Sequence, residues 1–169
     1  MNNVKIRVLE ERDLPTRVEW MNNPRIYTNM HYSIPVSLHN TISWYRDNIN
    51  NTNRIDVVFD CNGEIIAMGG LTGIDNTVKK AELYIFVNPN LHRSGIGTKA
   101  TACLCKYGFD ELGLNKIYLK TNSNNISAQR VYEKCGFKIE GVLRADCMTT
   151  DGQLIDRVCY GLFRDELNE

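Results

Sequence analysis

Between Ala81 and Lys99 the chain passes from a strand-forming run into a helix through a turn suited to close backbone approach. The run is Ala81-Glu82-Leu83-Tyr84-Ile85-Phe86-Val87, followed by Asn88-Pro89 and then Gly95-Ile96-Gly97. Pro89 has no amide hydrogen, so ladder pairing ends there. Glycines at 95 and 97 allow a ligand near the first turn of the helix. Unpaired N–H groups and a dipole equivalent to roughly +0.5 charge make that end an anion site. The implied ligand is a phosphate or pyrophosphate, and a strand feeding directly into such a helix belongs to a mixed α/β chain.

Three readings compete for this segment. A Walker A loop fails, because Lys99 follows Gly97 by only two residues and the G-x-x-x-x-G-K-[ST] spacing is absent. Gly95-x-Gly97-x-x-Ala100 fits a dinucleotide fingerprint, but that motif needs an acidic residue about 20 positions on to hold a ribose. Here the next strand ends in Lys120-Thr121-Asn122. A glycine-containing turn that merely opens a core helix is the third reading.

The rest of the chain supplies the frame. Val4–Val8 alternates as a half-buried strand does. Asp13 is placed to cap a short helix with Pro15 in its first turn, and a second helix is expected from Ser37. Arg54–Asp60, the Asn62-Gly63 turn and Glu64–Leu71 read as a hairpin. A helix is predicted from Gly95 to Leu112, with Ile96, Ala100, Cys103, Leu104 and Tyr107 as its buried stripe. Lys116–Thr121 is the next strand, and Ile126–Cys135 a helix stopped by Gly136. Two long strands, Phe137–Thr149 and Leu154–Phe163, flank Asp151-Gly152.

With 169 residues and no linker-like stretch, residues 1–169 are expected to form one domain that buries roughly two-thirds of its unfolded surface. The 20 Lys+Arg and 20 Asp+Glu are evenly spread, so nucleic acid is not an expected partner. No apolar run approaches the ~18 residues of a membrane span. The six cysteines form no C-x-x-C, and the three histidines are not at zinc-ligand intervals from them; no metal is expected. The polar opening Met1-Asn2-Asn3 is unlike a signal segment, so reduced thiols in a cytoplasmic protein are expected.

A second motif, Asn125-Ile-Ser-Ala128-Gln-Arg-Val-Tyr132-Glu133-Lys134-Cys-Gly136-Phe137, puts Asn125 at a helix start. Together the two segments resemble the GNAT superfamily of acetyl-coenzyme A dependent N-acetyltransferases. Val87, Pro89, Gly95 and Gly97 match its pyrophosphate loop. Asn125, Ala128, Tyr132, Glu133, Lys134, Gly136 and Phe137 match its N-x-x-A-x-x-x-Y-E-K-x-G-F signature. The resemblance is specific over about residues 80–142. One departure is His92, where the family often has Arg or Gln; Arg93 beside it could supply the charge, or be simply solvated.

The resemblance implies a GNAT-type mixed α/β (α+β) fold: a central twisted, mostly antiparallel sheet of six to seven strands, flanked by about four helices. A splay is implied between two central strands, Ala81–Val87 and Lys116–Thr121. Acetyl-CoA is the implied co-substrate, with an amine acceptor as the other partner and the protein a monomer or homodimer. Main-chain groups of Phe86 and Val87 would hold the pantetheine arm, and the loop His92, Arg93, Ser94, Gly95, Ile96, Gly97 and Thr98 the pyrophosphate. Asn125 would orient the pantetheine or thioester.

Direct attack by an alkyl amine needs a base, since freeing its lone pair at neutral pH costs roughly 4 kcal/mol. Glu82 is the candidate base, with a salt bridge to Lys79 or Lys80 as the alternative role. Tyr132 is the candidate acid for the departing thiolate, with core packing as its alternative. The acceptor pocket is expected from Trp20–Arg25, Trp44-Tyr45 and Leu143–Asp156. Within the superfamily, Trp20-x-Asn22-x-Pro24 and Gly141-Val142-Leu143-Arg144 look most like the branch acetylating ribosomal proteins, polyamines and amino sugars. The acceptor could be an amino sugar, a polyamine, an antibiotic or a protein amino terminus. A coenzyme A binding module without transfer is the alternative.

Overall fold

Alternation along the central strands decides which residues face which layer. The computed structural model describes residues 4–91 and 95–168. Its strands are β1 (Val4–Val8), β2 (Arg54–Cys61), β3 (Glu64–Asp75), β4 (Lys80–Val87), β5 (Lys116–Asn122), β6 (Lys138–Met148) and β7 (Leu154–Phe163). They form one seven-stranded sheet in the order β1-β2-β3-β4-β5-β7-β6. Among the described residues every neighbouring pair is antiparallel except β4 with β5.

The helices are α1 (Leu14–Met21), α2 (Pro24–Tyr27), α3 (Leu38–Asn48), α4 (Ile96–Asp110) and α5 (Ile126–Lys134). On one side of the sheet, Val57, Phe59, Leu71, Ala81, Leu83, Ile117 and Tyr160 pack with Ile96, Leu104 and Phe109 of α4. On the other, Val58, Met68 and Phe86 pack with Leu14 and Trp20 of α1 and Ile26 of α2. Neighbouring residues of β4 therefore serve opposite layers, as a period of two requires. Leu83 goes to α4, and Tyr84 and Phe86 go to α1–α3.

The expected strands and longer helices are present, with four differences. β3 runs on to Asp75, and the four-residue α2 was not expected; it opens on Pro24 behind Asn23, whose side chain accepts from the Arg25 amide. Asp13 does not cap α1 through its side chain. Its carboxylate accepts two hydrogen bonds from Arg7, at 2.7 and 2.8 Å, and one from the Glu10 amide, so a partner on β1 outcompetes the local cap. The buried stripe of α4 is Ile96, Ala100, Thr101, Leu104, Cys105, Gly108 and Phe109. Cys103 and Tyr107 sit at its half-buried margin, because the sheet meets the helix about one position away from the expected line. Among the described residues no helix is long and apolar enough to cross a membrane.

Gly136 ends α5 at φ +100°, and a β-carbon there would lie 1.9 Å from the Glu166 carbonyl oxygen. The same turn is tied down by the Asn168 amide donating to the Cys135 carbonyl. Gly136→Ala therefore meets both an unfavourable backbone conformation and a rigid neighbour. It is expected to lower unfolding free energy by about 2 kcal/mol or more in a urea titration; a change of a few tenths would contradict this packing.

Candidate active site

Parallel pairing between β4 and β5 covers only Lys80–Lys116, Ala81–Ile117 and Glu82–Tyr118. Past that point β4 stays with β3 as far as Val87, while β5 follows β7 to Asn122. The two strands part, and from Leu83 to Val87 the edge of β4 that faces β5 has no neighbouring strand among the described residues. A cavity of about 870 Å³ fills the fork. The first turn of α4 lies at its open end: a β-carbon on Gly97 would sit 3.7 Å from Val87 of β4 and 3.4 Å from Val131 of α5.

Most of the expected site residues meet around this cavity. Glu82, Phe86, Val87, Gly95, Ile96, Gly97, Asn125 and Tyr132 all line it. Gly95 holds φ +84° as the residue before α4, a left-handed conformation that favours glycine. Thr98 lies in the same turn without lining the cavity, and its carbonyl accepts from the Cys135 thiol at 3.4 Å. His92, Arg93 and Ser94 lie outside the described residues. Asn125 caps α5, its Oδ1 accepting from the Ala128 amide at 3.3 Å and the Ser127 hydroxyl at 3.1 Å. Any ligand it meets is thus offered the NH₂ end.

Glu82 stands at the closed end of the fork, as the last β4 residue paired to β5. Among the described residues it forms no ion pair with Lys79 or Lys80; the Lys80 ammonium instead sits over the Tyr118 ring, 5.8 Å from its centroid. Tyr132 is 9% exposed and packs edge-on to Phe137, with ring centroids 5.7 Å apart, and tilted against Tyr160 at 6.0 Å. Burial pushes its phenol up to about 12, so it keeps its proton through the neutral range and beyond.

Several residues of the site gave no sequence signal of their own. Thr101, one turn into α4, is fully buried, lines the cavity and leaves its hydroxyl without a partner among the described residues. Arg157 of β7 also lines it, with a buried Nε that has no partner among the described residues. His31 reaches it too, its Nε2 2.8 Å from Oδ1 of Asn122. A second cavity of about 380 Å³ adjoins the first, sharing Met30, Thr72, Tyr84 and Phe86 as walls. Trp44 lines it, whereas Trp20 is buried against Phe86. The Tyr84 hydroxyl donates to Asp56, and burial pushes that phenol up to about 12. Period-two spacing from Glu82 could have flagged Tyr84; nothing local could have flagged Arg157.

None of Asp146, Asp151 and Asp156 lines either cavity. Asp156 accepts from the Ala145 amide at 2.8 Å, Asp151 from the Thr149 hydroxyl, and Asp146 lies 3.9 Å from Arg157. The final hairpin thus reaches the cavity through Arg157, not through its acids.

A slot beside an unpaired strand edge, closed by a glycine turn and a helix start, suits an extended amide-bearing arm that ends in a pyrophosphate. The Acetyltransferase (GNAT) domain family matches this chain over residues 3–138. The chain is 31% identical over 145 residues to a spermidine N(1)-acetyltransferase of Escherichia coli K12, covering 84% of this chain and 76% of that protein. It is 30% identical over 140 residues to the spermidine N(1)-acetyltransferase of Vibrio cholerae, covering 82% and 80%. A crystal structure of spermidine N-acetyltransferase from Vibrio cholerae in complex with CoA and spermine superimposes with a TM-score of 0.93, over 98% of both chains at 24% identity. The forked sheet and the sequence matches thus agree that this chain belongs to the GNAT acetyltransferase family and is an acetyl-CoA dependent N-acetyltransferase.

Proposed function

We propose that the protein moves an acetyl group onto a primary amine of a small molecule by direct attack, with Glu82 as base and Tyr132 as acid. The observation that carries this reading is the fork itself, with Glu82 at its closed end and Tyr132 on its wall. Acetyl-CoA supplies a thioester that is electrophilic at its carbonyl carbon and releases a thiol. The main-chain edge at Phe86 and Val87 binds the pantetheine arm, the NH₂ of Asn125 orients it, and the amides of Gly95 to Thr98 receive the pyrophosphate. Glu82 takes the proton that the attacking ammonium must lose, directly or through a water. Tyr132 donates to the departing sulfur. The spermidine N(1)-acetyltransferases among the relatives support a small-molecule amine as the acceptor.

The room at Gly97 separates binding from folding. A β-carbon there makes only ordinary contacts with Val87 and Val131, and alanine is the better helix former by about 1 kcal/mol. Gly97→Ala is expected to unfold no earlier than the parent on heating, yet to bind acetyl-CoA about tenfold or more weakly by calorimetry. Unchanged affinity would remove the amides of this turn from the pyrophosphate site.

Glu82→Gln is expected to lower kcat/KM about 100-fold near neutral pH. The deficit should narrow as pH approaches the amine's own pKa, about 10, where the acceptor needs no base. A uniform deficit across pH would make Glu82 structural. Tyr132→Phe should lower kcat to a similar degree. A raised phenol pKa means the donor form is lost only as pH climbs through about 12, so wild-type kcat should show no loss from this group between about pH 8 and pH 10. Full turnover by Tyr132→Phe would sink the acid role.

A further inference from the structure

The second cavity carries a charge that the mechanism does not use. Arg17 of α1 lines it and is 6% exposed. Its guanidinium lies over three aromatic rings, 4.9 Å from the Trp44 centroid, 5.4 Å from Phe86 and 5.6 Å from Tyr84. Those faces accommodate a cation but offer nothing to the N–H edges in the guanidinium plane. Nη2 donates to the Tyr84 hydroxyl at a long 3.3 Å, and Nη1 is buried with no partner among the described residues.

No carboxylate among the described residues pairs with Arg17. Asp56 is already committed: Arg54 grips it with two hydrogen bonds, at 2.8 and 2.7 Å, and the Tyr84 hydroxyl donates to it as well. Arg54 cancels that charge, so Arg17 stands as an excess buried cation. Buried arginines are ordinarily matched by a carboxylate or phosphate whose oxygens meet two of their N–H groups. Arg17 has the unpaired donor, the adjoining volume and no protein partner to supply that oxyanion.

The charge of the walls points the same way. Among the described residues, Arg17 and Arg54 are the charged ones lining the second cavity, and with Arg54 paired to Asp56 the net charge left there is that of Arg17. A polyamine carrying several positive charges needs the opposite balance. The second cavity also adjoins the β4 face that bears Tyr84, two residues on from Glu82, so a ligand can span from one to the other.

Resting on the proposed acetyl transfer at Glu82, we infer that the acceptor is a primary amine that also bears an oxyanion, a carboxylate or phosphate, held by Arg17 in the second cavity while its amine faces Glu82. Arg17 is then a specificity-determining residue. The site sorts amines by what they carry at the other end.

Thiol release from acetyl-CoA, followed with matched amines, tests this. One arm compares glucosamine 6-phosphate with glucosamine, another β-alanine with its amide, and spermidine is the polycationic control. The first two arms separate a phosphate from a carboxylate source. In wild-type protein, kcat/KM should favour at least one oxyanion-bearing member over its neutral partner by about tenfold or more. Arg17→Met should shrink that ratio to within about threefold, and Arg17→Lys should restore part of it, with acetyl-CoA affinity by calorimetry tracking neither change. Turnover of spermidine or the neutral amines with no oxyanion preference overturns this inference and leaves acetyl transfer standing. An oxyanion preference that survives Arg17→Met overturns the assignment to Arg17. Thiol release from no amine, with acetyl-CoA bound, overturns the proposed transfer and this inference together. Because the wild-type comparison needs no variant, misfolding of Arg17→Met does not shelter the idea.

Discussion

Two neighbouring strands that agree for three residues and then follow different partners create everything else in this protein. A parted pair inside a sheet strands main-chain N–H and C=O groups, each costing about 1–3 kcal/mol if it stays buried and unmet. β4 and β5 tolerate this because each keeps a complete ladder on its other side, β4 with β3 to Val87 and β5 with β7 to Asn122. α4 enters at the mouth of the gap, its first turn lying between Val87 and Val131. The fold and the binding slot are therefore one structural decision, made where Glu82 meets Tyr118.

Hydrogen bonding outside the ladder repeats the pattern. Among the described residues three buried side-chain atoms lack partners: Arg17 Nη1, Thr101 Oγ1 and Arg157 Nε. All three belong to residues that line one of the two joined cavities. The core proper, by contrast, is close to fully apolar, with Tyr160 handing its hydroxyl to Glu133. Stability and function are segregated by polarity: the molecule satisfies its polar groups where it only needs to hold together, and leaves them open where it meets other molecules.

What could be read from the sequence was what the backbone writes locally. The caps at Ser37 and Asn125, the stop at Gly136 and the Gly95–Gly97 turn each depend on residues within four positions of one another. The second motif was legible for the same reason. Side chains whose partners come from distant elements were not. Asp13 was captured by Arg7 on β1, the acids of the last hairpin were spent on partners within the hairpin itself, and Arg157 on the same hairpin became part of the cavity wall. Arg17 sits among apolar residues of α1 with nothing nearby in the sequence to say that β2, β4 and α3 would surround it.

The unpaired stretch of β4 also bears on stability. A ligand that completes this ladder binds the folded chain and not the unfolded one, so it stabilises by RT ln(1 + [L]/Kd), about 2.7 kcal/mol at a hundredfold excess over Kd. The opening between β4 and β5 lies near the middle of the sheet, so a ligand bound there would touch both of its halves. A co-substrate that pairs there would also be a folding ligand, with or without its acetyl group, and native-state stability would follow the supply of coenzyme A.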